Sequence, residues 1–82
     1  MTSTEIVQRA KEQLAQLIGL TPDTVSRLSR DGEGWHVTVE MIEAKRIPDI
    51  YDIMATYESL FDNEGNLVRY HCTKRYVRKD ME

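Results

Sequence analysis

Two alternating segments, residues 52–61 and 66–73, flank the turn-forming run Asp62-Asn63-Glu64-Gly65, and they limit the fold more than any other stretch. Four turn residues between two strands make a common hairpin connection. Pairing Phe61 with Asn66 sets one register. In it Tyr57 faces Tyr70, Ser59 faces Val68 and Ala55 faces Cys72 on one side of the sheet. On the other side Glu58 faces Arg69, Leu60 faces Leu67, Thr56 faces His71 and Asp52 faces Arg75. Both ion pairs and the aromatic pair come from this single register, and a one-residue slip loses them all. Each surface ion pair is worth only tenths of a kcal/mol, so such pairs select register more than they stabilise.

The remaining elements follow from periodicity. Thr2 and Glu5 have capping-box spacing. Ile6, Val7, Ala10, Leu14, Leu17 and Ile18 then form one apolar stripe, which predicts a helix over residues 3–18 ended by Gly19. Residues 24–30 predict a weak edge strand, since Val25 and Leu28 fall on opposite faces of a regular one. After the turn Asp31-Gly32-Glu33-Gly34, residues Trp35, Val37, Val39 and Met41 alternate with His36, Thr38, Glu40 and Ile42, which predicts a half-buried strand over 35–43. The last two strands are expected at 52–61 and 66–76, with Tyr76 on the face of Val68, Tyr70 and Cys72. Pro48 breaks pairing between residues 44 and 51, where Ile47 and Ile50 are expected to plug the open end of the core and Arg46 and Asp49 to be solvated. The chain thus reads as one α+β domain over residues 1–82: an N-terminal amphipathic helix on one face of a four-stranded antiparallel meander. The expected core is Trp35, Val37, Val39, Tyr57, Val68 and Tyr70, with the Trp35 N–H reaching a partner. The opposite face is expected to be polar and ion-paired, apart from a small Leu60–Leu67 patch suited to a partner or a weak homo-oligomer.

Size and composition narrow the function. A chain of 82 residues buries only about 60–65% of its unfolded surface, which disfavours a deep enzymatic cleft. The sequence has neither an apolar run long enough for a bilayer nor a signal-peptide pattern, so a cytoplasmic location is expected. Net charge is −3, with five Lys/Arg against two Asp/Glu in residues 69–82. That basic end lacks the charge and stacking aromatics of a nucleic-acid footprint, so no nucleic-acid or membrane partner is expected. No nucleophile–base motif, phosphate loop or dinucleotide fingerprint is present. His36 and His71 lie on different strands without companion ligands, and Cys72 is a core-side residue. The expectation is a protein with no catalytic residues, no cofactor and no metal.

A series of residues carries a resemblance. Gly34-Trp35-His36-Val37-Thr38-Val39-Glu40 is followed by Glu43, Arg46-Ile47-Pro48-Asp49, Asp52, Ala55-Thr56-Tyr57-Glu58, Leu60, and Asp62 with Gly65. Tyr70, Arg75-Tyr76 and Arg78 complete it. In order and spacing this series resembles the gas vesicle protein O family over about half the chain, departing from it at Ser59, Ile50-Tyr51 and Cys72. The resemblance implies a non-enzymatic accessory protein for gas vesicle assembly and buoyancy, partnered by shell and other accessory proteins. Contact could run through an exposed edge strand or through a charged docking surface. Arg46, Ile47, Pro48, Asp49, Leu60, Leu67, Arg75 and Arg78 are the candidate partner-binding residues. Two other readings stay open: a generic α+β binding or inhibitor module, and a small enzyme with a pocket between helix and sheet.

Overall fold

The computed structural model describes residues 1–81. Helix α1 spans Ser3–Ile18. Strands β1 (Thr21–Asp31), β2 (Gly34–Ala44), β3 (Ile53–Phe61) and β4 (Leu67–Val77) form one antiparallel sheet in that order. Single turns of 3-10 helix follow Pro48 and Val77, at Asp49–Tyr51 and Arg78–Met81.

The helix begins at a complete capping box. The Glu5 N–H donates to Thr2 Oγ1 at 3.2 Å and the Thr2 N–H donates to Glu5 Oε1 at 2.9 Å. It ends at Gly19, whose N–H donates to the Ala15 carbonyl. Ile6, Ala10 and Leu14 are wholly buried against Val37, Val39, Met41, Ala55, Tyr57 and Phe61. Burial of Ile6 and of Leu14 stabilises by about 1.5–3 kcal/mol each. These side chains fill the space between helix and sheet, where a small-molecule pocket would have to lie. Leu17, assigned to the apolar stripe, is exposed. The helix lies over β1 and β2, and Arg9 Nε ties it to the β3–β4 turn through the Gly65 carbonyl at 3.0 Å.

Strand β1 is longer than its pattern suggested, and irregular. Extra residues at Asp23 and Ser26 interrupt its pairing with β2. The Ser26 bulge puts Val25 opposite Val39 and Leu28 opposite Val37, so both β1 residues reach the helix side. A bulge adds one unpaired residue and reverses the side-chain alternation beyond it.

The β3–β4 register differs from expectation for the same reason. The hairpin closes on Asp62 and Asn66: the Asp62 N–H donates to the Asn66 carbonyl at 2.9 Å, leaving three loop residues. Asp62 Oδ1 accepts the N–H groups of Glu64 and Asn66, each at 2.9 Å. Gly65 takes φ 84, the left-handed conformation a three-residue hairpin loop requires. Val68 and Thr73 then bulge out of β4. Tyr57 therefore pairs with Cys72, Ser59 with Tyr70, Glu58 with His71, Leu60 with Arg69 and Thr56 with Lys74. Tyr57 and Tyr70 still touch diagonally, with ring centroids 6.4 Å apart.

Several expectations fail with that register. Val68 is 55% exposed and Tyr70 is also exposed, so neither belongs to the core. Tyr76 crosses to the face away from the helix, opposite Met54. Leu60 and Leu67 do not meet, because Leu60 is 4% exposed on the open face while Leu67 packs against the helix-side core. The Leu60–Leu67 patch therefore does not exist. Trp35 is buried, but its Nε1 has no hydrogen-bond partner among the described residues; the Arg30 guanidinium sits 5.0 Å from its ring centroid instead.

Candidate functional site

Two constellations stand out, one on the open sheet face and one at the end where β2 leaves for β3. On the open face Glu40 is only 3% exposed. Its Oε2 accepts the Ser26 hydroxyl, and its Oε1 accepts the hydroxyls of Thr56 and Tyr76, all at 2.6 Å. These four residues come one from each strand. Burial pushes the Glu40 carboxyl up, but the three hydroxyls outweigh it and hold the group below the usual glutamate range. Burial and the facing carboxylate together push the Tyr76 phenol well up. The arrangement is a tie across the sheet, with every carboxylate bond directed at a protein hydroxyl.

Beside the tie runs a trough of about 380 Å³ lined by Arg27, His36, Thr38, Glu58, Arg69 and His71 among others. At its end Asp31, Glu33 and His36 bring one ligand atom each within 4.8 Å of one another. Protein groups already engage all three. His36 Nε2 lies 2.8 Å from Asp31 Oδ2, the Glu33 N–H donates to Asp31 Oδ1, and Glu33 faces Arg69 at 3.6 Å.

The second constellation gathers most of the sequence-predicted contact residues. Asp52, 2% exposed, sits where the connector rejoins the sheet. Its Oδ1 accepts the Arg46 N–H at 2.7 Å. Its Oδ2 accepts Arg78 Nη2 at 3.1 Å, and its carbonyl accepts the Arg78 N–H at 2.9 Å. Arg78 Nη1 continues to Asp23 Oδ2 at 3.2 Å. The Arg46 amide first, and the Arg78 guanidinium after it, hold the Asp52 carboxyl below the usual aspartate range against the opposing effect of burial. The two carboxylates hold the Arg78 guanidinium firmly charged, its pKa raised further.

Asp52 thus closes the loop of residues 46–51 at its base. Within that loop the Tyr51 N–H donates to the Pro48 carbonyl at 3.1 Å and the Asp52 N–H to the Asp49 carbonyl at 2.9 Å. Ile47 projects from it 100% exposed, with Ile50 and Tyr51 also exposed. The two isoleucines do not plug the core. With its base spanned by Asp52, the loop turns outward and leaves the sheet end to Asp52 and Arg78.

Arg46, Ile47, Pro48 and Asp49 are therefore brought together, and Arg78 joins them from below through Asp52. Arg75 stands apart: it pairs with Glu43 at 2.6 Å instead of with Asp52. Leu60 and Leu67 are remote from this end, and they lie on opposite faces of the sheet although Leu67 pairs with Phe61 next to Leu60. The Glu40 tie was missed by sequence reasoning. Its one signal was Ser, Thr and Tyr on the three strands other than that of Glu40, and only the true register brings them to one carboxylate.

Comparison with known proteins gives the chain a family and relatives. The family described as gas vesicle synthesis protein GvpO matches residues 1–82. The chain is 37% identical over 73 residues to Gas vesicle protein O of Streptomyces sp. (strain CB03234), covering 89% of this chain and 57% of that protein. It is 32% identical over 75 residues to Gas vesicle protein O of Haloferax mediterranei, covering 90% and 54% respectively. It is also 32% identical over 74 residues to Gas vesicle protein O1 of Halobacterium salinarum, covering 90% and 62%. The chain thus spans between about half and three fifths of the length of these curated relatives. No solved structure matches it.

Proposed function

The chain belongs to the gas vesicle synthesis protein GvpO family, and on that premise we propose that it is a cytoplasmic accessory protein of gas vesicle formation. It acts through contacts with shell or other accessory proteins and performs no chemistry of its own. One observation supports the connector as the contact surface: a wholly exposed isoleucine at the tip of a loop whose base is held by a buried carboxylate. Exposing such a side chain on an anchored loop forgoes about 1.5–3 kcal/mol of burial, which a partner's apolar surface would recover.

The other route, pairing of an edge strand with a partner strand, fits less well. Both edges carry two bulges, at Asp23 and Ser26 in β1 and at Val68 and Thr73 in β4. Bulges and edge cations such as Arg69 and Lys74 are the devices that keep edges from pairing. The Leu60–Leu67 argument for a homo-oligomer lapses with the patch. A generic binding or inhibitor module has only the fold in its favour.

The test replaces the host gene, at full length, with an Ile47→Asp version and measures flotation and vesicle yield. Yield should fall well below that of the parent at equal protein level. Normal flotation with Ile47→Asp would remove the connector as the contact surface. Normal flotation after clean deletion of the gene would remove the role in vesicle formation.

A further inference from the structure

We infer that Asp52 and Arg78 are positioning residues that latch the 46–51 loop into the shape that presents Ile47, and that Arg78 does not itself meet the partner. This rests on the reading of the loop as a contact surface. Three separated parts of the chain meet at the latch: Asp23 at the start of β1, Asp52 at the base of the loop, and Arg78 just past β4. Asp52 uses both carboxylate oxygens and its carbonyl, and each bond goes to a group that borders the loop or the chain end. Arg78 spends Nη1 and Nη2 on the two aspartates and is largely covered, with 27% of its side chain exposed. Both Nη groups are turned to carboxylates and Nε is buried, so the guanidinium faces inward, and its planar fork suits bridging.

The geometry also separates what folds the chain from what shapes the loop. The helix–sheet core of Ile6, Leu14, Val39, Tyr57 and Phe61 does not include Asp52 or Arg78. The backbone bonds of the 3-10 turn lie between Pro48 and Asp52, so ahead of that turn it is the Arg46–Asp52 bond that ties the first residue of the loop to its base. A loop fixed in advance loses less entropy on docking, so loosening it weakens binding without touching a contact atom.

The experiment uses Asp52→Asn, with Asp23→Asn as a milder second variant that removes only the outer carboxylate. Amide hydrogen exchange is read at Arg46 and at core amides of β2 and β3. Flotation is scored for the full-length gene carrying Asp52→Asn, Ile47→Asp, or both. Exchange at Arg46 should quicken by about tenfold or more in Asp52→Asn, with core exchange little changed and vesicle yield reduced. The double variant should do no worse than Ile47→Asp alone, because a loop without its isoleucine has nothing left to present. A role confined to fold stability would instead lower yield further in the double variant, and that outcome overturns the inference. Unchanged Arg46 exchange, or a loosened loop with normal yield, overturns it too. If Asp52→Asn fails to fold, the same readings on Asp23→Asn decide. Loss of the contact reading is seen separately, as normal yield with Ile47→Asp while loop exchange still responds to Asp52.

Discussion

Replacing Glu40 by leucine probes a carboxylate that all four strands share. The substitution takes the acceptor from three hydroxyls. Ser26 lies exposed on β1 and can turn to water. Thr56 is buried and Tyr76 half-buried, and losing an acceptor there costs about 1–3 kcal/mol each. Removing a buried charge and adding an apolar side chain returns part of that, leaving a net loss of about 2–4 kcal/mol. An 82-residue domain has about 4–12 kcal/mol in total, so the change is a large fraction of its stability. Glutamine keeps the shape and loses only the charge assistance of the bonds, which amounts to about 1–2 kcal/mol. The expected order is parent, then Glu40→Gln, then Glu40→Leu.

Urea unfolding at neutral pH, followed by fluorescence of the single tryptophan Trp35, measures the series. A leucine variant as stable as the parent would refute the reasoning, since the cost of burying the charge would then exceed the worth of its bonds. A pH arm checks the sign independently. The folded carboxyl lies below its ordinary range, so in that window the unfolded chain binds more protons than the native one. Glu40's contribution is therefore complete above the unfolded pKa and is lost as pH falls through the folded one. The gap between parent and Glu40→Gln should narrow from pH 7 toward pH 3; a constant gap would contradict the assignment.

Two further substitutions test the sheet. Gly34 has φ 137, and a Cβ there would collide with the Phe61 carbonyl oxygen across the β2–β3 pair. Gly34→Ala should cost about 2–4 kcal/mol and lower Tm by about 10–20 °C, and a loss within 1–2 °C would show that the strands relax freely. Leu60→Ala should cost about 2–4 kcal/mol because the side chain is buried, and the half-buried Leu67→Ala about half as much. Equal, negligible effects would restore the exposed patch implied by the simple register.

What was legible in the sequence was whatever depends on local chemistry. The helix bounds follow from a capping box and a glycine, and the hairpin from Asp62 and Gly65. The β2 alternation correctly assigned Trp35, Val37 and Val39 to the core. What was illegible was the count of residues between strands' paired positions. Nothing in the side chains of Ser26, Val68 or Thr73 marks them as bulges, because any residue can leave a ladder without a forbidden φ. The connector was conspicuous through Pro48, but its anchor, the Arg46 amide on Asp52 and Asp52 in turn on Arg78, joins distant parts of the chain, to which local propensity gives no access.

These misses have one cause. The simple register paired Asp52 with Arg75. Closure of the hairpin on Asp62 and Asn66 displaces the pairing by one residue, Val68 by a second and Thr73 by a third, which carries Asp52's partner from Arg75 to Arg78. The Thr73 bulge also turns Tyr76 to the open face, where it meets Glu40, and the Ser26 bulge brings the hydroxyl that meets it from the other side. Both bulges lie on the edge strands. The distortions that keep those edges from pairing thus also complete the tie at the centre of the sheet and set the latch beneath Ile47. If so, bulge and site are coupled: deleting Thr73 should move Tyr76 off Glu40 and Arg78 off Asp52 together, which makes protection of the Arg46 amide and the acid sensitivity of unfolding fail as a pair.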